Sequence, residues 1–474
     1  MKNLILFVFF ILMAGACSSQ ARLFNVLSYG ARGDGRTDNT RAFQKAIDAA
    51  AKQGQGIVLV PPGRFITGVL HLRSNVNLHL EENAVVLGSA HRIDYGAGSA
   101  SALIVADSQR NIAITGKGTI DGQGALLLKD IYRMLEAGTL QDAEWKTYNP
   151  WHQMRPEERN RPKLIQFRHC DKIDIRGITI KDGLCWIQDY RECSHLTIDS
   201  IRVKSTVMWN NDGIDVVDCR QVKITHCFID ADDDGICLKS ESAQGRCEDI
   251  EIADCTIRSS ASAFKMGTAS RGIFSDIRVR DLKIYDTYRS AIALETVDGA
   301  TLENIDIRHV MATNTGNAIF LRLGRRNRAA PAGILRHVYI GDVRVEVPAG
   351  KPDKGYEMEG PPADGAHNVF PSSIVGLPDH PVEDVVLENI EISMPGGASR
   401  DTAYVPADSI NLVPEREEAY PEFSMFGELP ASGLFVRHVK GLRLKKVHFI
   451  FRKEDFRPAC IFDDVADLAI DQMN

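Results

Sequence analysis

Two short stretches of the chain concentrate carboxylates in a form that could do acid–base chemistry. Asn210-Asn211-Asp212-Gly213-Ile214-Asp215 is followed by Asp232-Asp233-Asp234-Gly235, and Asp212 and Asp233 stand 21 residues apart. If that interval is one turn of a repeating structure, both side chains reach one face on neighbouring rungs, about 5 Å apart at strand spacing. Cleaving a glycosidic bond needs such a set, with one carboxylic acid to protonate the leaving oxygen and a carboxylate to activate water. Crowded like charges also push their pKa values apart, which keeps one of them protonated near neutral pH. Two plainer readings compete. Asp-Gly and Asn-Asp are ordinary turn formers, and an acidic run is often a solvated turn. Clustered carboxylates are also hard oxygen ligands of the kind calcium takes. The one-coil interval favours the catalytic reading, and nothing in the sequence calls for a metal or another cofactor.

The elements that would position these residues show as a repeat. Cys-x-x-apolar-x-apolar recurs at Cys170, Cys193, Cys219 and Cys247, at steps of 23, 26 and 28 residues. A second mark runs through Leu164, Trp186, Ile214, Ile236, Phe264, Ile292 and Ile319. Strand-like alternation with a period in the twenties, punctuated by Gly, Asn and Asp, is a coil of three short strands joined by turns. The expected fold is therefore all-β, a right-handed parallel β-helix (solenoid) with an N-terminal capping helix. Stacked coils place equivalent residues above one another, so the four cysteines form an internal ladder, and Cys227 and Cys255 form a second. Ten cysteines would otherwise suggest disulfides in an exported chain; repeating inward positions instead suggest small apolar packing.

The ends follow the same plan. Thr37 to Asn39 offer capping side chains, Phe43, Ala46, Ile47 and Ala50 make one apolar face, and Gly54 stops the helix. Such a helix suits the open end of a solenoid. Twelve of the nineteen prolines fall between Pro348 and Pro430, which reads as long ordered loops returning across the body, with one coil at Val385 to Ile392. The expected organisation is a signal peptide at 1–16, a cap and first coils at 22–100, a catalytic β-helix core at 101–346, proline-rich loops at 347–435 and C-terminal coils at 436–474. Lys2, the apolar run Leu4 to Met13 and the small residues before Cys17 form the signal, with Cys17 as a lipidation site of bacterial type. The expected location is outside the cytoplasm, periplasmic or anchored at the outer membrane by that lipid. A net charge of −7 argues against a nucleic-acid partner, and a capped stack of coils is expected to be monomeric.

Phe24 to Asp38 (F-N-V-L-S-Y-G-A-R-G-D-G-R-T-D), Gly116 to Gly122 (G-K-G-T-I-D-G) and above all Arg161 to Ser240 resemble glycoside hydrolase family 28, the polygalacturonase family of pectin-degrading enzymes. The family's N-T-D-G motif is matched by Asn210, Asn211, Asp212 and Gly213, and its paired aspartates by Asp233 and Asp234. The resemblance implies inverting hydrolysis of a pectic oligo- or polysaccharide, with Asp233 as general acid and Asp212 with Asp234 activating water. Two motifs depart from the family. Its G-H-G is replaced by Ala261-Ser262-Ala263, and its uronate-binding R-I-K by Ala293-Leu294-Glu295. Glu295 would repel a uronate where the family's lysine attracts one. Lys239, Lys265, Arg289 and Arg322 lie near the same rungs and could supply positive charge. Asn210, Lys265, Arg289, Glu295 and Arg322 are accordingly the expected substrate-binding residues.

Trp186 sits on the register mark and reads as core at least as well as a sugar-stacking ring. The aromatics of Glu144 to Trp151 could line a wall of the site. The expected activity is hydrolysis of an α-linked pectic sugar, a galacturonide or rhamnoside, at a chain end or side branch. A polysaccharide lyase on the same fold and a non-catalytic glycan-binding β-helix are the alternatives. Both are weakened by the intact aspartate pattern.

Overall fold

The computed structural model describes residues 22–147, 155–208, 210–352, 355–356, 368–403 and 405–473. The expected signal segment with Cys17, and Tyr148 and Trp151 of the expected aromatic wall, lie outside the described residues. No helix among the described residues is long and apolar enough to cross a membrane.

Short strands with every second side chain buried, such as Gly56–Val60 and Val76–Leu80, turn one face inward. A closed core needs that period of two. Three strands make each coil. Gln188–Arg191, Ser194–Asp199 and Arg202–Ser205 pair in parallel with Ile214–Val217, Arg220–Thr225 and Phe228–Ala231. Those pair in turn with Ile236–Ser240, Arg246–Ala253 and Thr256–Ser259. The chain is a right-handed parallel β-helix, the hand that parallel crossovers take almost without exception.

Asn, Asp and His at the corners explain the punctuation of the repeat. Asp276, Asp281, Asp286, Asn304, His309 and Asn314 all adopt positive φ, which short polar side chains tolerate. They also bond from rung to rung: the Asn314 side chain donates to Asp286 at 2.7 Å and that of Asn304 to Asp276 at 3.3 Å.

Both cysteine ladders form. Asp171 is in register with Ser194, Ser194 with Arg220 and Arg220 with Glu248, which stacks Cys170, Cys193, Cys219 and Cys247. Phe228 beside Thr256 stacks Cys227 on Cys255. All described cysteines are unbonded, and all but Cys460 are buried.

The helix α1 (Thr40–Lys52) buries Ala42, Phe43, Ala46, Ile47 and Ala50 over the N-terminal opening, with Phe43 against Phe65 at 5.6 Å. Asp38 caps it, accepting from the Thr40 N–H at 2.9 Å. A second helix, α2 (Gly124–Glu136), was not expected; Leu127, Ile131 and Leu135 form its buried stripe. The proline-rich region holds more strand than the single expected coil. Ser372–Val375 stacks between Phe320–Arg322 and Leu434–Arg437, and Val382–Gly396 contains the expected coil. Phe370, Phe423, Phe426 and Phe435 pack as a separate apolar cluster, which pins the returning segment to the flank of the solenoid.

Candidate active site

The two acidic turns lead into the stacked strands Ile214–Val217 and Ile236–Ser240. Ile214 is in register with Ile236, and the Gly213 N–H donates to the Asp234 carbonyl at 2.9 Å. Gly213 has to be glycine at this approach, since a Cβ there would lie 2.6 Å from the Gly235 carbonyl oxygen. The residue stacked on Asp212 is thus Asp234, one further along than the 21-residue interval suggests. A carboxylate oxygen from each lies within 4.8 Å of the other and of Cys237 Sγ. Asp233 occupies the neighbouring turn position. Its carboxylate accepts from the Asp234 N–H at 2.9 Å and faces Asn210 Nδ2 at 3.5 Å. Asp212 and Asp234 are buried, while Asp233 keeps partial access to solvent.

Two lysines divide this negative charge unequally. Lys239 Nζ donates to Asp212 Oδ2 at 2.7 Å and also to Asp215, which is wholly buried on the strand that follows Asp212. Burial opposes the charge on Lys239, but Asp212 and Asp215 outweigh it and hold the ammonium. Lys265 Nζ sits 3.1 Å from Asp234 Oδ2 and 3.8 Å from Glu295 Oε2. The three carboxylates therefore differ. Burial, reinforced by the negative charges of Asp212 and Asp234, pushes Asp233 up to about 7. For Asp234 burial pulls the same way, yet Lys265, Lys239 and Arg289 outweigh it and hold the carboxyl below its ordinary value; the Ser262 N–H adds a bond at 3.0 Å. Asp212 is raised by burial against the pull of Lys239. One group keeps a proton near neutrality beside another that has lost its own. Asp212, Asp234 and Cys237 are also the group of possible metal donors among the described residues, and the Lys239 and Lys265 ammonium groups already lie against its two carboxylates.

The expected binding residues separate into two sets. Asn210 belongs to the site: its Oδ1 accepts from Arg155 at 2.6 Å and Arg161 at 3.1 Å, which aims its amide at Asp233. Lys265 and Glu295 face each other across one rung, and Arg289 pairs with Glu422 at 3.5 Å. Arg322 is a correction. It is fully buried and donates to the carbonyls of Gly376 (3.0 Å), Glu415 (2.8 Å) and Arg416 (3.2 Å), so its guanidinium anchors the returning segment and meets no sugar. Replacing Arg322 with Met strands the buried Gly376 carbonyl, at on the order of 1–3 kcal/mol, and frees the returning segment at Glu415 and Arg416. We expect faster proteolytic cutting between residues 414 and 426 and a raised KM, measured by limited digestion and steady-state kinetics.

Trp186 is also not core. In the register Ile165 stacks on Gln188, and Asp189 on Asp215, which leaves Trp186 outside the inward row. Its half-buried ring lies on the site face, with Lys239 and Lys163 each 4.0 Å from its centroid. Reasoning from sequence placed Asp215 in the acidic stretch but gave it no role, and missed Tyr420. Asp215 follows Asp212 by three residues and sits in register with Cys237. Tyr420 reaches Lys265 Nζ with its hydroxyl at 3.4 Å from 155 residues away, a contact that no local pattern announces.

The model of the glycosyl hydrolases family 28 matches residues 54–345. The chain belongs to that family. A second model, rhamnogalacturonase A/epimerase, pectate lyase-like, matches residues 23–84. Among relatives of this family 28 member, the "Probable polygalacturonase" of Vitis vinifera is 25% identical over 345 residues, covering 69% of this chain and 61% of the grape protein. The exo-poly-alpha-D-galacturonosidase of Dickeya chrysanthemi is 40% identical over a shorter stretch of 121 residues, which covers 22% of this chain and 20% of that one. The chain thus spans about three fifths of the length of the first curated relatives it matches. The exopolygalacturonase of Thermotoga maritima superposes with a TM-score of 0.61 at 25% identity, over 79% of this chain and 88% of that one.

Proposed function

We propose that this family 28 protein is an inverting glycoside hydrolase that removes α-linked pectic sugars, galacturonide or rhamnoside, from chain ends or side branches. Asp233 donates the proton to the leaving oxygen, and Asp234 with Asp212 activates the attacking water. The observation that carries this reading is the grouping of three aspartates, Asp234 stacked on Asp212 with Asp233 beside them, and a lysine against each member of the stack. Asp233 is raised to about 7 by burial and by its two acidic neighbours, while Lys265 keeps Asp234 ionised against the cost of burial. A preference for chain ends is supported by the returning segment, whose Tyr420 and Glu422 contact Lys265 and Arg289 beside the aspartates. The likeness to exopolygalacturonases points the same way.

The test is a reducing-end assay across pectic fractions, followed by a pH profile on the fraction that responds. Release of small sugars with little loss of viscosity is the expected result; rapid mid-chain cutting of plain polygalacturonate contradicts the preference for chain ends. The sign of the pH dependence follows from the acid. Asp233 must be protonated, so kcat falls as pH rises through about 7, approaching tenfold per unit on the alkaline side. A rate that is flat or rising between pH 7 and 9 counts against Asp233 as the acid.

A further inference from the structure

We propose that Glu295 makes this site select a neutral, hydroxyl-bearing sugar ring on the C-terminal side of the Asp212–Asp234 stack and reject a uronate there. The proposal rests on the hydrolase reading above and assigns the chemistry of one of its subsites.

Register fixes the position of Glu295. Lys265 stacks on Ala293, so the Ala293-Leu294-Glu295 run is the next rung beyond Lys265. Glu295 is only 2% exposed, and both groups on its Oε2 are donors, Thr268 Oγ1 at 3.2 Å and Lys265 Nζ at 3.8 Å. Among the described residues Oε1 has no protein donor. Gly267 lets the backbone lie flush against this side chain; a Cβ there would stand 2.9 Å from the Glu295 carbonyl oxygen and 3.0 Å from its Cβ. The side chain is therefore fixed by its surroundings with Oε2 held, and burial, against the pull of Lys265, lifts its carboxyl to about 7, so its negative charge is in place above that pH.

Charge decides which ring can approach. Lys265 is shared between Asp234 and Glu295. Arg289 is paired with Glu422, and Arg326 holds Asp298 through two bonds at 3.0 and 2.7 Å. Each of these cations is matched by an acid, and Lys265 by two, so carboxylates exceed cations at these rungs. Above the pH at which Glu295 ionises, a uronate placed here adds a further buried negative charge beside Lys265, Arg289 and Arg326, each already paired with an acid, which low-dielectric surroundings penalise heavily. A neutral ring brings hydroxyls that donate to Glu295, an ionic acceptor. Rejection by a placed like charge is the repulsive half of specificity.

The experiment uses the full protein with three sets of α-linked oligosaccharides, terminated by rhamnosyl, galactosyl or galacturonosyl rings. The last two differ only in the carboxylate at C6. The measure is kcat/KM at pH 8, above the value of about 7 to which burial lifts Glu295, for the wild type, Glu295→Gln and Glu295→Lys. The wild type is expected to favour a neutral terminus over galacturonosyl by about 100-fold, the upper end of what leaving one buried polar group unpaired costs. Glu295→Gln should narrow that ratio roughly tenfold, mainly through KM, with an unchanged melting temperature as the control for folding. Glu295→Lys should narrow it further; if that variant does not fold, the isosteric amide still decides the matter. The proposal is overturned if the wild type cleaves the galacturonosyl set as well as the neutral ones, or if Glu295→Gln leaves the ratio unmoved. Those outcomes leave the hydrolase reading intact, whereas no release from any set overturns that reading and this proposal with it.

Discussion

Replacing Asp233 with Asn is expected to lower kcat on the responsive pectic fraction by about 10³- to 10⁴-fold while KM changes little, because general-acid assistance acts only in the transition state. The amide has the shape of the acid, and its oxygen still accepts from the Asp234 N–H, a bond of 2.9 Å in the native protein. What it lacks is a transferable proton. Asp233 holds its proton up to about pH 7, so below that point the substitution exchanges one neutral group for another. The melting temperature should stay within a degree or two. An α-glycosyl fluoride, whose leaving group needs no protonation, should recover much of the lost rate. A variant that keeps more than a tenth of the activity, or that the fluoride fails to rescue, contradicts the role given to Asp233.

The second large effect is on stability. Lys239→Met should cost about 3–5 kcal/mol, the range for removing one partner from a buried ionic group. Asp212 and the wholly buried Asp215 both lean on this ammonium, and burial already raises both carboxyls despite it. Without Lys239 they hold their protons still more tightly in the folded chain than in the unfolded one. The folded state then binds the extra protons, so its stability falls as pH climbs above the ordinary Asp value near 4. Denaturant unfolding should show a larger loss at pH 8 than at pH 5. Adding Asp215→Asn should restore part of it by removing one of the stranded carboxylates. Equal losses at both pH values, or no recovery in the double variant, would show that Lys239 acts by packing alone.

Much of this arrangement is legible in the amino-acid sequence. The spacing of Cys170, Cys193, Cys219 and Cys247 marks successive rungs because that inward position stays apolar from coil to coil, continuing into Phe274 and Leu302, and that repeat is enough to imply the solenoid. The aspartates stand out because carboxylates are costly to bury and these recur at one coil. The sequence misleads where a rung changes length. A coil one residue longer moves the partner of Asp212 from Asp233 to Asp234, and in the preceding coil Gln188, two residues past Trp186, takes the place beside Ile214 and leaves Trp186 on the site face. The stripe Leu127, Ile131 and Leu135 has helical spacing but lies within a stretch dominated by strand patterns. Arg322 misleads because charge alone does not tell an exposed arginine from one that satisfies buried carbonyls. The contacts of Tyr420 with Lys265 and of Glu422 with Arg289 depend on a long segment folding back across the solenoid, which neither periodicity nor motif encodes.

The central claim is that water attacks directly, activated by Asp234 and Asp212, while Asp233 protonates the leaving oxygen, with no covalent sugar on the enzyme. Proton NMR of the freshly released sugar, recorded before mutarotation, tests it most directly. Direct attack predicts that an α-linked substrate yields the β-anomer first. An α-anomer as the first product would mean retention through a glycosyl-enzyme intermediate, and would require one of these aspartates to act as a nucleophile.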